Sequence, residues 1–204
     1  SACSVINSQI ETLNKKRADE KSNIIFKAIE FTTKAHSGQF RKGTKIPYLI
    51  HPFGVAKILI EQNCSEEVIA AGILHDTVED THTTVEDIRN SFGEKVAALV
   101  EGASEPNRQD PWEKKKRHTI DYLKTAPMDV LLIACADKLD NIKSTREDYE
   151  KCGESIWSRF NRPKKNQKWY YQELLNVFNS RINDGLSRSL INKFKAEVQR
   201  IFGE

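Results

Sequence analysis

Apolar residues recur along this chain at intervals of three and four, the spacing that lines one face of an α-helix, while alternation at intervals of two is scarce. Ile24, Ile25, Ala28, Ile29, Phe31, Thr32 and Ala35 predict a helix that ends near Ser37-Gly38. Val55, Ile58, Leu59 and Ile60 predict a second, starting after His51-Pro52, where a proline suits the first turn. Ser65 is placed to cap a third that carries the run Val68 to Leu74. Thr83 or Thr84 caps a short helix to Phe92, Gly93 ends it, and Val96, Leu99 and Val100 mark the next. Beyond a polar loop from Glu105 to Pro111, Trp112 to Leu123 is amphipathic and strongly charged. Asp129 to Arg146 reads as a long, largely buried helix; its block Val130 to Ala134 has strand-like composition but no partner strand. Trp169 to Ile182 and Leu186 to Phe202, separated by Asn183-Asp184-Gly185, complete the pattern. With no repeat, low-complexity tract or linker, the expectation is an all-α helical bundle forming one domain over residues 1–204.

Composition narrows the class. A chain of 204 residues suffices for one well-cored domain, and 38% hydrophobic against 30% charged residues suits a globule with a charged surface. The formal net charge of +3 gives no global case for a nucleic-acid partner. The longest apolar stretch, Val130 to Ala136, is too short to span a bilayer, and the amino terminus shows no signal-peptide core. Cys3, Cys64, Cys135 and Cys152 are widely separated, with no CxxC pair, and read as free thiols of a reducing compartment. The expected setting is the cytoplasm, with neither membrane nor nucleic acid as partner.

Candidate chemistry concentrates at His75-Asp76. Glu79 and Asp80 follow each of these by four residues, so an imidazole and three carboxylates gather beside the apolar run that ends at Leu74. Carboxylates crowded next to a core repel one another unless a cation lies among them. Two further stretches converge on the same need: His51 within Pro47 to Pro52, and Asp137, which interrupts the buried helix. Two imidazoles and two carboxylates make a mixed nitrogen and oxygen site, better suited to Mn²⁺ or another six-coordinate first-row ion than to a thiolate zinc centre.

In their order, these motifs resemble the HD superfamily of metal-dependent phosphohydrolases, and more narrowly the hydrolase domain of RelA/SpoT-type alarmone enzymes in its small single-domain form. The resemblance runs from about Ile24 to Ile182. It rests on Ala35-His36-Ser37-Gly38-Gln39-Phe40-Arg41-Lys42, Pro47-Tyr48-Leu49-Ile50-His51-Pro52, Leu74-His75-Asp76-Thr77-Val78-Glu79-Asp80-Thr81, Phe92-Gly93 with Val96, and Ala136-Asp137-Lys138-Leu139-Asp140-Asn141. It implies that His51, His75, Asp76 and Asp137 bind one Mn²⁺, and that Glu79 and Asp80 position and deprotonate the attacking water. It further implies that the reaction removes pyrophosphate from the 3′ position of guanosine tetra- or pentaphosphate, leaving GDP or GTP. By the same resemblance, Arg41 and Lys42 lie beside the base, Asn141 near the sugar, Lys115 against phosphate, and Tyr170 near ribose and phosphate. A metal that acidifies water and a carboxylate that takes its proton are the groups such hydrolysis needs, with no covalent nucleophile.

Two departures stand out. Asp140 occupies a position where relatives often carry histidine or tyrosine, and Glu101 to Glu105 replaces their Val-Thr-rich turn. Asp140 adds negative charge near the nucleotide pocket, which bears on substrate more than on metal. The length leaves no room for the synthetase domain of the long enzymes, so hydrolysis alone is expected. Two other functions compete: the same chemistry on a different ribose-phosphorylated nucleotide, and a nucleotide-sensing module that binds without turnover. His36 is expected to serve structure, His82 and His118 to be bystanders, and Trp112, Trp157 and Trp169 to pack.

Overall fold

The computed structural model describes residues 24–105, 109–183 and 185–203, and among these the chain is helical, with one isolated antiparallel bridge between Phe40 and Pro47. The helices are α1 (24–35), α2 (Ile50–Glu61), α3 (Glu66–Leu74), α4 (Thr77–Asp80), α5 (Val85–Phe92), α6 (Glu94–Ala103), α7 (Trp112–Leu123), α8 (Met128–Cys152), α9 (Lys164–Arg181) and α10 (Gly185–Phe202). A 3₁₀ turn, Gly153–Arg159, joins α8 to α9. The all-α expectation holds. Cys3 lies outside the described residues, as do 106–108 of the expected Glu105–Pro111 loop and residue 184 of the last connection.

Helix α8 is the spine. Val130, Leu131, Ile133, Cys135, Ala136, Leu139 and Ile142 are all buried, and a helix apolar on most of its circumference must sit inside the bundle. It packs against α2, α3, α6 and α10. The helix runs on past Arg146 to Cys152 and stops at Gly153, whose φ of 60° with ψ of −147° is backbone that glycine alone takes readily. Helix α9 likewise starts at Lys164, behind Pro163, and not at Trp169.

Ser65 caps α3 as expected, its side chain accepting from Val68 N. Thr84, not Thr83, caps α5, in a reciprocal capping box with Asp87. Helix α2 begins at Ile50, before His51-Pro52 and not after it. Backbone bonds from Ile50 N to Pro47 O (3.3 Å) and from His51 N to Tyr48 O (3.0 Å) start the turn early, and Pro52 falls where no amide is required.

The stretch around His75 is two helices. Helix α3 ends at Leu74, and α4 starts at Thr77. Side chains donate to four consecutive carbonyls at this break: His75 Nδ1 to Gly72 O (2.7 Å), Thr32 Oγ1 to Ile73 O (2.9 Å), Thr77 Oγ1 to Leu74 O (2.6 Å) and Ser104 Oγ to His75 O (3.4 Å). Acceptors at a helix end are thus satisfied from α1, from α4 and from the segment after α6, and the break is held inside the core.

Candidate active site

His51 on α2, His75 and Asp76 at the α3–α4 break and Asp137 on α8 meet at one point. His51 Nε2 lies 3.2 Å from Asp137 Oδ1 and 3.4 Å from Asp76 Oδ2, while His75 Nε2 lies 3.1 Å from Asp76 Oδ2 and 3.7 Å from Asp137 Oδ1. The imidazoles are 2% and 3% exposed, and their rings stand edge to face with centroids 5.2 Å apart. Burial by itself lowers an imidazole pKa, yet hydrogen bonds to Asp137, Asp140 and Asp76 carry His51 up to about 10. His75 goes the same way: burial opposes, and the charge of Asp76 overrides it. Burial would raise both carboxyls, but the His75 charge holds Asp76 well below the usual range, and the Lys138 ammonium does so for Asp137. The cluster therefore draws positive charge, as protons on the rings or as a cation.

The donor set fits a divalent ion. Ligands about 2.1 Å from an ion and at right angles stand about 3 Å apart, and the four separations above, 3.1 to 3.7 Å, all exceed that by a few tenths of an ångström. His75 Nδ1 donates to Gly72 O, while its Nε2 is buried with no well-formed hydrogen bond, despite the Asp76 oxygen 3.1 Å away. His51 Nδ1 is matched by Asp140 Oδ2 at 2.7 Å. Each ring thus has its outer nitrogen engaged and its inner nitrogen turned to the centre, the arrangement of an imidazole ligand. These residues together suit a divalent metal centre of histidines and aspartates.

Glu79 and Asp80 project from α4. Glu79 is partly buried and accepts from Glu105 N; burial, then the nearby Asp76 charge, push its carboxyl up to about 7. Asp80 accepts from Tyr48 Oη at 3.4 Å. The same hydroxyl bonds Asp76 Oδ2, and Gln39 Nε2 holds Asp80 O at 2.9 Å. His36 supports this corner, its Nδ1 2.8 Å from Gln39 Oε1 and its ring against Tyr48.

Two adjoining cavities lie here, and only the smaller is lined by members of the cluster. One, of about 100 Å³, is lined by His75, Asp76, Glu79, Lys116, Asp137 and Tyr170 among others. The other, of about 330 Å³, includes Arg41, Lys42, Asn141, Trp112 and Arg159. Lys116, Lys138 and Tyr170 belong to both linings. Arg41 Nη2 donates to Asn141 Oδ1 (3.2 Å), Asn141 Nδ2 donates to Asp137 Oδ1 (2.6 Å), and Lys42 Nζ reaches Asn161 (3.0 Å). Tyr170 Oη is buried without a hydrogen-bond partner. Lys115 lines neither cavity: its Nζ lies 3.6 Å from Glu105, and its neighbour Lys116 is the one that faces both. His118 lines the smaller cavity and Trp112 the larger, and Trp112 packs on Trp169 and Tyr170 as expected.

Sequence reasoning passed over Tyr48 and Lys138, although both sit inside the quoted motifs. A tyrosine three residues before one ligand and a lysine directly after another were the available signals. Lys138 Nζ lies 2.7 Å from Asp137 Oδ2, and this pairing holds a half-buried ammonium in place. Glu105, between Lys115 and Lys116, had no such signal.

The model for the HD domain matches residues 28–179. The chain is 43% identical over 122 residues to a guanosine-3′,5′-bis(diphosphate) 3′-pyrophosphohydrolase of Aquifex aeolicus, covering 59% of this chain but only 17% of that protein. It is 33% identical over 138 residues to the pyrophosphohydrolase MESH1 of Danio rerio, covering 66% of this chain and 74% of that one. Among solved structures, lmo0812 of Listeria monocytogenes superposes with a TM-score of 0.70 at 39% identity, over 78% of this chain and 97% of that one. A metazoan ortholog of SpoT that hydrolyses ppGpp gives 0.71 at 24% identity, over 89% and 97%, a likeness of fold. With three quarters of its length under the domain model and its histidines and aspartates gathered as described, the chain belongs to the HD domain family.

Proposed function

We propose that this protein is a Mn²⁺-dependent hydrolase that removes pyrophosphate from the 3′ position of guanosine tetra- or pentaphosphate, leaving GDP or GTP. One observation carries the reading: His51, His75, Asp76 and Asp137 meet beside a cavity walled by Lys116 and Lys138, and these two lysines also line the neighbouring cavity that holds Arg41. The pyrophosphohydrolase names of the Aquifex and Danio relatives supply the substrate. His51, His75, Asp76 and Asp137 hold the ion, which when bound supplies Lewis acidity toward water and a phosphoryl oxygen. Glu79, near neutral in pKa and at the cavity edge, takes the proton of the attacking water; Asp80 and Tyr48 fix its surroundings. Lys116 and Lys138 neutralise phosphate charge, with Lys115 a turn-neighbour in the same basic run. Arg41 and Lys42 flank the base, the guanidinium by stacking, and Asn141 and Tyr170 meet the sugar side. As the ester bond breaks, the oxygen of water joins phosphorus and the ribose 3′ oxygen leaves as a hydroxyl. Free Cys64, Cys135 and Cys152 fit the cytoplasmic setting we assign. Among the described residues, no helix is long and apolar enough to cross a membrane.

The test is product analysis of ppGpp incubated with purified protein and Mn²⁺, beside metal-free protein and Asp76→Ala. GDP and pyrophosphate released only by the metal-loaded wild type is the expected result. A metal-loaded wild type that leaves ppGpp intact overturns the reading.

A further inference from the structure

Asp140 sits behind His51, on the far side of the ring from the centre. It follows Asp137 by three residues on α8, so the two carboxylates share a face and reach opposite nitrogens of one imidazole. Its Oδ2 takes His51 Nδ1 at 2.7 Å and lies 3.4 Å from Arg41 Nη1. Its Oδ1 occupies the space over Gly54 on α2, where an added Cβ would stand 2.0 Å away. Helix α2 therefore provides both the ring and, three residues on, the gap that lets a carboxylate come up behind it.

We propose that Asp140 is a positioning residue for the metal centre: it keeps a proton on His51 Nδ1, fixes the ring plane and leaves Nε2 directed at Asp76 and Asp137, with Gly54 held free of a side chain to admit it. His51 and Arg41 both hold Oδ2, and turning Oδ1 away from a methyl group at position 54 would disturb those two contacts. The inference rests on the metal-centre reading above and not on the identity of the substrate. The departure at position 140 thereby serves the ion, by supporting one of its ligands.

The experiment is calorimetric titration of Mn²⁺ into purified wild type, Asp140→Ala, Asp140→Asn and Gly54→Ala, with no nucleotide present and with thermal unfolding run alongside. Asp140→Ala is expected to weaken binding about 10- to 100-fold, the usual loss when a histidine ligand is stripped of its outer partner. Asp140→Asn keeps an acceptor for Nδ1–H and is expected to stay within a few-fold of wild type; Gly54→Ala is expected to fall with Asp140→Ala. Folded Asp140→Ala with wild-type affinity overturns the proposal, as does Asp140→Asn losing as much as Asp140→Ala. Should Asp140→Ala fail to fold, the Asp140→Asn and Gly54→Ala affinities decide. A wild type that takes up no Mn²⁺ removes the metal-centre reading itself, whereas intact Mn²⁺ binding without ppGpp turnover removes only the substrate.

Discussion

At the scale of a residue, Glu79 carries the sharpest consequences. Its carboxyl is raised to about 7, first by burial and then by the Asp76 charge. The ionised form is thus disfavoured in the fold relative to the unfolded chain. The favourable contribution of Glu79 is fully present below its ordinary carboxylate range and is lost as pH rises through about 7. In the metal-free protein, Glu79→Gln should flatten this dependence. Measured by urea unfolding, the variant should gain about 2–3 kcal/mol on wild type between pH 4.5 and pH 8, a figure already reduced for partial exposure. The same substitution should retain Mn²⁺, since Glu79 is no ligand, and lower turnover by about 10²- to 10⁴-fold. Full activity in Glu79→Gln would assign the proton to another group. Arg41→Ala, by contrast, should act mainly on KM, because its contacts serve binding before and during reaction alike.

At the scale of an element, the α3–α4 break is where sequence reasoning and structure part. The periodicity of Val68 to Leu74 and the Ser65 cap were legible because both are local. The division at His75-Asp76 was not, because two of the four groups that satisfy the end of α3 come from afar: Thr32 on α1, and Ser104 just after α6. For the same reason Asp140 was visible as a departure but not as the partner of His51, which lies 89 positions earlier. The four candidate ligands were readable from motif order, since each sits in a short local pattern. Their convergence depends on α2, α3 and α8 packing together, which no window of sequence contains. Thr32→Val is the element-scale test. It swaps a fully buried hydroxyl for a methyl of similar size and strands the Ile73 carbonyl, at an expected cost of about 1–3 kcal/mol by urea unfolding. Mn²⁺ affinity should fall with it, because His75 is anchored on the adjacent Gly72 carbonyl. Unchanged stability would show that the hydroxyl is not what ends α3.

At the scale of the whole molecule, metal centre and larger cavity are joined by a ring of contacts: His51 to Asp140, Asp140 to Arg41, Arg41 to Asn141, Asn141 to Asp137, and Asp137 back to His51. A ligand that engages Arg41 and Asn141 therefore acts on His51 and Asp137, two of the four residues proposed to hold the ion. Titrated into the slow Glu79→Gln protein, ppGpp and Mn²⁺ should alter each other's affinity by one common factor, as linkage requires, and calorimetry in both orders should agree on it. A factor of one in both orders would mean that the ring transmits nothing. The wall common to the two cavities has a last consequence. Lys116, Lys138 and Tyr170 line both cavities, so the shared wall is cationic. Under the proposed reaction, cleavage splits the substrate across this wall. The nucleoside part keeps only the wider, more open chamber, while the small anionic fragment is left among the ammonium groups. The order of departure follows: nucleotide first, pyrophosphate last, so that added pyrophosphate should compete with fresh substrate and added GDP should not.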